Sequence, residues 1–187
     1  MKIDKKNITQ EEINQIANRF ANGDVEAFNI LYGLYSRNVY RFCQRMLVNV
    51  DVAKDAFQET FVRIYECRSS YNGNSFQSWL FTTARNTCIN YIRKRKSTTS
   101  IENIDVSFQP KRYLDIGIKE HIENKLEQLP IALKEAFILR DMEDLSYDQI
   151  AEILQIDMSL VKVRVHRARL KLKELLKPLL KEINEAI

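Results

Sequence analysis

Glycine and proline are scarce in this chain. Four glycines and three prolines punctuate 187 residues, where average usage would supply roughly 13 glycines alone. Glycine provides the positive-φ backbone of hairpin turns, and proline pre-sets turn entry. A chain so poor in both cannot reverse direction often, so long helices with short connections are expected instead of a sheet. Apolar residues make up 45% and charged residues 29%. That balance can build a core and argues against wholesale disorder. No run approaches the ~18 apolar residues a membrane-spanning helix needs, and the opening Met1–Gln15 stretch lacks the apolar centre of a secretory signal. Cys43, Cys67 and Cys88 are odd in number and far apart. They form no C-x-x-C, which points to buried or incidental thiols in a reducing cytoplasm.

Apolar spacing divides the chain. Phe28, Leu31, Tyr32, Tyr35, Val39, Phe42 and Met46 recur at three- and four-residue steps, a single helical stripe, with Asp24 after Gly23 placed to cap it. A second helix is expected near Val52, with Ala53, Ala56, Phe57, Phe61, Ile64 and Tyr65 on one face. Turn formers fill Arg68–Ser75. A third helix is expected from Phe76 to about Lys96, with Trp79, Leu80, Thr83, Ala84, Thr87, Cys88, Tyr91 and Ile92 inward. Residues 97–114 are polar, aperiodic and contain Pro110, and read as a flexible linker. Past Asp115, Ile118, Ile122, Leu126 and Leu129 mark a helix stopped at Pro130. Leu133, Ala136, Phe137 and Leu139 mark another ending near Met142, and the last helix meets no stop until Pro178. The expected fold is all-α, with two small helical domains spanning 1–96 and 115–187.

Charge is uneven. Residues 1–96 carry 15 basic and 9 acidic side chains, whereas 119–157 carry 4 and 10, and 158–187 carry 8 and 3. Positive charge is therefore focused around Arg85–Lys96 and Lys162–Lys181, and local basic faces attract polyanions more than net charge does. The second basic segment follows a recognisable skeleton. Ser146 can cap a two-turn helix with Ile150, Ala151 and Leu154 inward. Ile156 fills the turn, Asp157 can cap the next helix, and Val161, Val165 and Ala168 face in. That is the apolar pattern of a helix-turn-helix. Met158, Ser159, Leu160, Lys162, Arg164, His166, Arg167 and Arg169 are then outward. A charged helix face is ordinarily a solvated one. Here Lys162 to Lys173 holds six basic residues and no acid, on the helix that a major groove would admit.

Leu129-Pro130, Glu135–Arg140, Leu145–Leu154 and Val161–Arg169 resemble the C-terminal promoter-binding domain of bacterial sigma factors. Asp24–Phe28, Leu31-Tyr32, Tyr35, Val39-Tyr40, Asp55–Phe61, Trp79-Leu80, Ala84–Asn86 and Asn90–Lys96 resemble the other conserved sigma domain. Possession of only these two domains resembles the extracytoplasmic-function (ECF) subfamily of the sigma-70 family. The resemblance spans about residues 20 to 176. It implies a DNA-binding transcription initiation subunit that works with two sites on core RNA polymerase, the clamp helices of the largest subunit and the flap of the second. It also implies promoter DNA as a partner, a cytoplasmic location, and control by a membrane-anchored anti-sigma factor.

The resemblance assigns Asp55, Gln58, Glu59 and Phe61 to the clamp-helix face, although Phe61 also suits the core. It gives Arg68–Lys96 the recognition and melting of the −10 element. Opened bases need pockets and stacking faces, and the exposed strand needs cations. Asn72, Asn74 and Ser75 suit a flipped base, and Arg85, Asn86, Arg93, Lys94, Arg95 and Lys96 suit the backbone. Trp79 offers a stacking face, but a Trp on this stripe more often serves the core. Ser159, Leu160, Lys162, Arg164, His166, Arg167 and Arg169 fall to the −35 element. Leu160 replaces a frequent Thr, Val163 a common Ser, and Gln155 a frequent turn Gly. Leu160 can meet a thymine methyl where Thr would donate a hydrogen bond. The linker, with Glu102 and Asp105, resembles the segment that threads towards the RNA exit channel.

Two further classes are weighed against this one. A stand-alone helix-turn-helix repressor or activator needs one reading head and a dimer or ligand-binding domain. An enzyme needs a nucleophile–base pair, a metal set or a phosphate loop. The only histidines are His121 and His166, and no Gly-rich loop is present, so neither catalysis nor a cofactor is expected.

Overall fold

The computed structural model of the chain describes residues 8–99 and 124–185. The described residues are helices and short connections, with no strand. The first half holds α1 (Gln10–Ala21), α2 (Val25–Met46), α3 (Val50–Glu66), a 3-10 turn (Arg68–Ser70) and α4 (Phe76–Thr99).

The starts of α1, α2 and α3 are each built by a short polar side chain. Thr9 accepts from the Glu12 N–H while the Glu12 carboxylate accepts from the Thr9 N–H, a reciprocal box. Asp24 accepts from the Glu26 and Ala27 N–H groups at 2.9 and 3.1 Å, the role its position predicted. Asn49 does the same for Asp51 and Val52. Such caps are worth about 1 kcal/mol each. Between α1 and α2 the backbone passes through φ +93° at Gly23, a region that side-chain-bearing residues avoid.

The core of this half is aromatic. Phe20, Tyr35, Phe42, Phe76 and Phe81 are each almost fully buried. Phe42 and Phe81 meet edge-on at 5.5 Å, the geometry ring quadrupoles favour. Trp79 is half-buried against Tyr71 and Phe76, so it belongs to the packing that the general habit of Trp suggested.

The second half is smaller. A helical turn at 124–126 leads to α5 (Ile131–Phe137), which runs into a π-helical segment (Ile138–Met142). α6 (Tyr147–Leu154) and α7 (Met158–Glu185) complete it. Ser146 and Gln149 form a second reciprocal box at the start of α6. The α6–α7 turn passes through Gln155 at φ 54°, ψ 47°, the left-handed conformation usually given to Gly or Asn. Ile150, Ile153, Leu154, Val161, Val165 and Ala168 are buried between α6 and α7, which is the helix-turn-helix skeleton.

Three expectations change. α4, expected to end near Lys96, continues through Ser97–Thr99, the first residues of the expected linker, because no Gly or Pro interrupts it. The rest of that linker, with Glu102 and Asp105, and the start of the helix expected from Ile118 and Ile122 lie outside the described residues. The helix after Pro130 does not stay α-helical to Met142. At Ile138 it widens, and the Glu143 N–H bonds the Ile138 carbonyl five residues back. Finally, α7 runs through Pro178 to Glu185. Proline removes the bond to the carbonyl of residue 174, but Glu174 and Pro178 are exposed and water can serve that carbonyl.

The two halves are packed together. α4 lies against α6, and the π-helical segment lies against α2.

Candidate nucleic-acid and polymerase interfaces

Three surfaces carry the residues singled out above, and they differ in how free those residues are.

The first is the outer face of α3. Asp55 and Gln58 are exposed. Glu59 is tied down: Arg63 donates to it at 2.6 and 2.8 Å, and Tyr91 bonds it from α4. Partial burial pushes the Glu59 carboxyl up, but the bonds from Arg63 and Tyr91 outweigh it and hold the group below the usual carboxylate range. Phe61 is buried, 7% exposed. Its ring packs on Tyr32 at 4.8 Å and Phe57 at 5.2 Å, so it builds the surface from beneath. Above it runs an open groove of about 560 Å³ walled by Phe28, Tyr32, Phe57, Phe61 and Tyr65. Tyr32, Val62 and Tyr65 are exposed beside it. Apolar surface gathered in this way marks interaction sites. The apolar spacing gave these rings to the core stripe, and only the fold shows that the outer ones form a groove.

The second surface is the loop before α4 and the helix itself. Asn72 and Asn74 are exposed and Ser75 is half-buried. The Asn74 N–H bonds the Asn72 side chain at 3.2 Å, and Ser75 Oγ accepts from the Ser78 N–H at 3.2 Å, opening α4. The Tyr71 hydroxyl donates to the Asn74 carbonyl, which fastens the loop to the core. Asn86, Arg93, Lys94 and Arg95 are exposed. Lys94 sits 5.8 Å above the Tyr91 ring. The Lys96 side chain lies outside the described part. Arg85 behaves differently. It turns from α4 towards the second half and reaches the Glu135 carboxylate, with Nε at 2.8 Å and Nη2 at 3.4 Å.

The third surface is α7. Met158, Ser159, Leu160, Lys162, His166, Arg167 and Arg169 are exposed, the face the spacing predicted, and Val163 is exposed beside them. Leu160 is 41% exposed. Lys162 hovers 5.8 Å over the Tyr147 ring. Arg169 is held by Asp141, with Nε at 2.9 Å. Arg164 departs from the expected outward position. Its side chain is only 23% exposed, and its Nη1 lies 3.5 Å from the Glu135 carboxylate.

Glu135 therefore links arginines from two separate surfaces, and composition did not single it out. Glu143 escaped notice as well. The one available signal was the acidic excess of 119–157 between two basic segments, which gives the sign of the partner but not its address. Both thiols of the Cys43–Cys88 pair are buried. The Cys43 hydrogen bond and burial push the Cys88 thiol up, so it stays protonated and unreactive. No group of three or more His, Cys, Asp or Glu among the described residues is placed to hold a metal. No described helix is long and apolar enough to cross a membrane.

These arrangements have close counterparts. Residues 31–98 match the Sigma-70 region 2 family, and residues 119–172 match Sigma-70, region 4. The RNA polymerase sigma-H factor of Pseudomonas aeruginosa is 30% identical over 94% of this chain and 99% of its own length. The ECF RNA polymerase sigma factor SigW of Bacillus subtilis is 31% identical over 84% of this chain and 92% of its own. Among solved structures, the sigma factor RpoE in complex with the anti-sigma factor NepR, from Bartonella quintana, superposes with a TM-score of 0.69. It is 28% identical and covers 80% of this chain and 96% of that one. CnrH, solved in complex with the cytosolic domain of CnrY, shares the fold at a TM-score of 0.71 and 20% identity, over 88% and 97%. The chain belongs to the ECF subfamily of sigma-70 RNA polymerase sigma factors. A stand-alone repressor is thereby disfavoured.

Proposed function

We propose that this protein binds core RNA polymerase and directs it to promoters as a dissociable initiation subunit. The observation that carries the reading is the presence of two separate basic faces, on α4 and α7, together with a third face that is apolar and acidic. A repressor needs one reading head, and an initiation subunit needs two and a polymerase dock. The first domain (1–96) holds polymerase and the −10 element, residues 97–114 connect, and the second domain (115–187) holds the −35 element and the flap.

On α3, Asp55, Gln58 and Glu59 meet the clamp helices of the largest subunit. The ring groove beside them, with Phe61 as its floor, accepts an apolar side chain from the same helices. Asn72, Asn74 and Ser75 receive a flipped base of the −10 element. Arg85, Asn86, Arg93, Lys94, Arg95 and Lys96 hold the single strand's phosphates, where stacking and charge act together. On α7, Ser159 and Leu160 face base edges, while Lys162, Arg164, His166, Arg167 and Arg169 grip bases and flanking phosphates. The protein works in the cytoplasm under a membrane-anchored anti-sigma factor. The relative RpoE was solved with an anti-sigma factor, and that supports a regulator of this kind here.

Run-off transcription with core polymerase tests the reading. Promoter-specific transcript and co-migration with core are expected, and absence of both would sink it. Glu59→Arg is expected to lower core affinity. It also severs the Arg63 and Tyr91 bonds, so Asp55→Arg, at an exposed position, is the cleaner companion. Normal core binding by both variants would move the dock elsewhere.

A further inference from the structure

The acidic groups of the second half are buried against basic groups of the first. Glu143 has a side chain with 0% exposure. It accepts from Arg45 at 2.7 Å and from Asn38 at 2.9 Å, and Arg41 lies 3.9 Å away. All three of these partners come from α2. Glu135, whose side chain is 2% exposed, holds Arg85 of α4 on one side and Arg164 of α7 on the other. Lys134 reaches across as well. Its Nζ bonds the Met46 carbonyl at 3.2 Å, supplying a cation to the C-terminal end of α2, where the helix dipole is negative.

Burying charges in this way is costly unless each finds a partner. Both carboxylates draw their shortest ion pairs from the first half. Glu143 takes its contacts with Asn38, Arg41 and Arg45 from α2, and Glu135 loses the shorter Arg85 contact and keeps the longer Arg164 one if the halves part. The backbone around Glu143 is also unusual. The π-helical turn ends on it, and Asp144 follows at φ 55°. This places the Glu143 carboxylate on the inter-half face, and π segments of this kind gather at functional positions.

We infer that Glu135 and Glu143 form an intramolecular latch that closes the two halves of the free protein on each other, and that Glu135 occupies two arginines which promoter phosphates take when the chain opens. The inference rests on the DNA roles proposed for Arg85 and Arg164. Closure itself needs neither DNA nor a regulator, because each side of the latch is part of this chain. Every DNA contact made by Arg85 or Arg164 competes with the same carboxylate. Opening exchanges buried ion pairs for solvated ones, a step that binding to polymerase can drive by favouring the open form. The Arg41 Nε is buried without a partner, so the network is incompletely satisfied and suits release.

The full chain tests this by small-angle scattering in the absence of DNA and polymerase. The Glu135→Gln, Glu143→Gln double variant is expected to show a larger radius of gyration than the wild type. Arg45→Gln is expected to expand the chain in the same direction. It touches no residue placed on DNA, so it decides the matter if the double variant loses its far-UV helix signal. In anisotropy titrations with a −35 duplex, Arg45→Gln is expected to bind roughly tenfold tighter than the wild type, since a partly populated competent state taxes affinity by its own fraction. Unchanged dimensions in Arg45→Gln would overturn the latch, as would a wild-type chain already as expanded as the variants. Expansion with unchanged duplex affinity would overturn the competition with DNA. Failure of the initiation reading would appear separately, as lost run-off transcription.

Discussion

The two halves reach stability by different means. The first is built around rings: Phe20 meets Phe76 edge-on at 6.1 Å, and Phe42 meets Phe81 at 5.5 Å. The fully buried large residues of the second, Leu126, Ile138, Leu139 and Leu145, are all aliphatic. Aromatic side chains bury more area each and add ring–ring terms of about 0.5–1.5 kcal/mol. The second half is also short, and domains that small have little core to spare. It compensates through contacts with its neighbour, and those contacts engage Glu135, Glu143 and Lys134. The difference teaches that a small half can be steadied by its neighbour's surface, and under the proposed latch that same surface would also keep it from DNA.

The comparison is broken most directly in the cores. Phe42→Ala is expected to cost about 3–5 kcal/mol and Leu139→Ala about 2–5 kcal/mol. Thermal melts followed by far-UV circular dichroism distinguish their consequences. Leu139→Ala is expected to split the melt, with the second half lost first and the ring-filled half surviving. A single transition for that variant would mean that the halves form one cooperative unit.

The sequence made much of this legible, and the reasons are local. Asp24 and Ser146 lie just ahead of apolar periodicity, and both cap the helices they precede. The inward set Ile150, Leu154, Val161 and Val165 was readable because one helix turn repeats every 3.6 residues. Thr9 and Asn49 followed the same capping rules and would have given the starts of α1 and α3. What stayed hidden was non-local. Arg85 and Glu135 are 50 residues apart, and Arg45 and Glu143 are 98 apart. No periodicity links residues at such separations, so Arg164 looked outward until its partner was placed. The widened turn at Ile138–Met142 was hidden too, because Ile-Leu-Arg-Asp-Met is ordinary helix-forming sequence.

Arg164 and Lys162 sharpen the comparison at the reading head. Lys162 is exposed, and Arg164 is engaged with Glu135. Alanine at either is expected to weaken −35 binding in the polymerase complex. The loss is about 1–3 kcal/mol for a base contact, and the salt slope falls by about one for a phosphate contact. In the free chain the two part company. Arg164→Ala removes a DNA contact and one arm of the Glu135 network together, so its net loss is expected to be smaller than that of Lys162→Ala. Anisotropy titrations across a salt series measure both. Unchanged affinity and slope in both variants would remove α7 from the DNA, and equal losses in the free chain would argue that Glu135 does not compete.

The smallest expected effects lie at the two ends of α6. Ser146→Ala removes the side chain that accepts from the Gln149 N–H at 3.2 Å, at a cost of about 1 kcal/mol. Gln155 is the opposite case. It sits at φ 54°, where a Cβ crowds the backbone carbonyl and costs on the order of 1 kcal/mol. Its N–H bonds the Ala151 and Glu152 carbonyls, and Gly would keep those backbone bonds while shedding the clash. Gly also gains freedom in the unfolded chain, which takes back part of the benefit. Gln155→Gly should therefore stabilise the second half by roughly 0.5 kcal/mol, read as a higher urea midpoint with an unchanged slope. It should leave −35 affinity as it was, because α7 keeps its orientation. A lower midpoint would show that the Gln155 side chain contributes more than its backbone conformation costs.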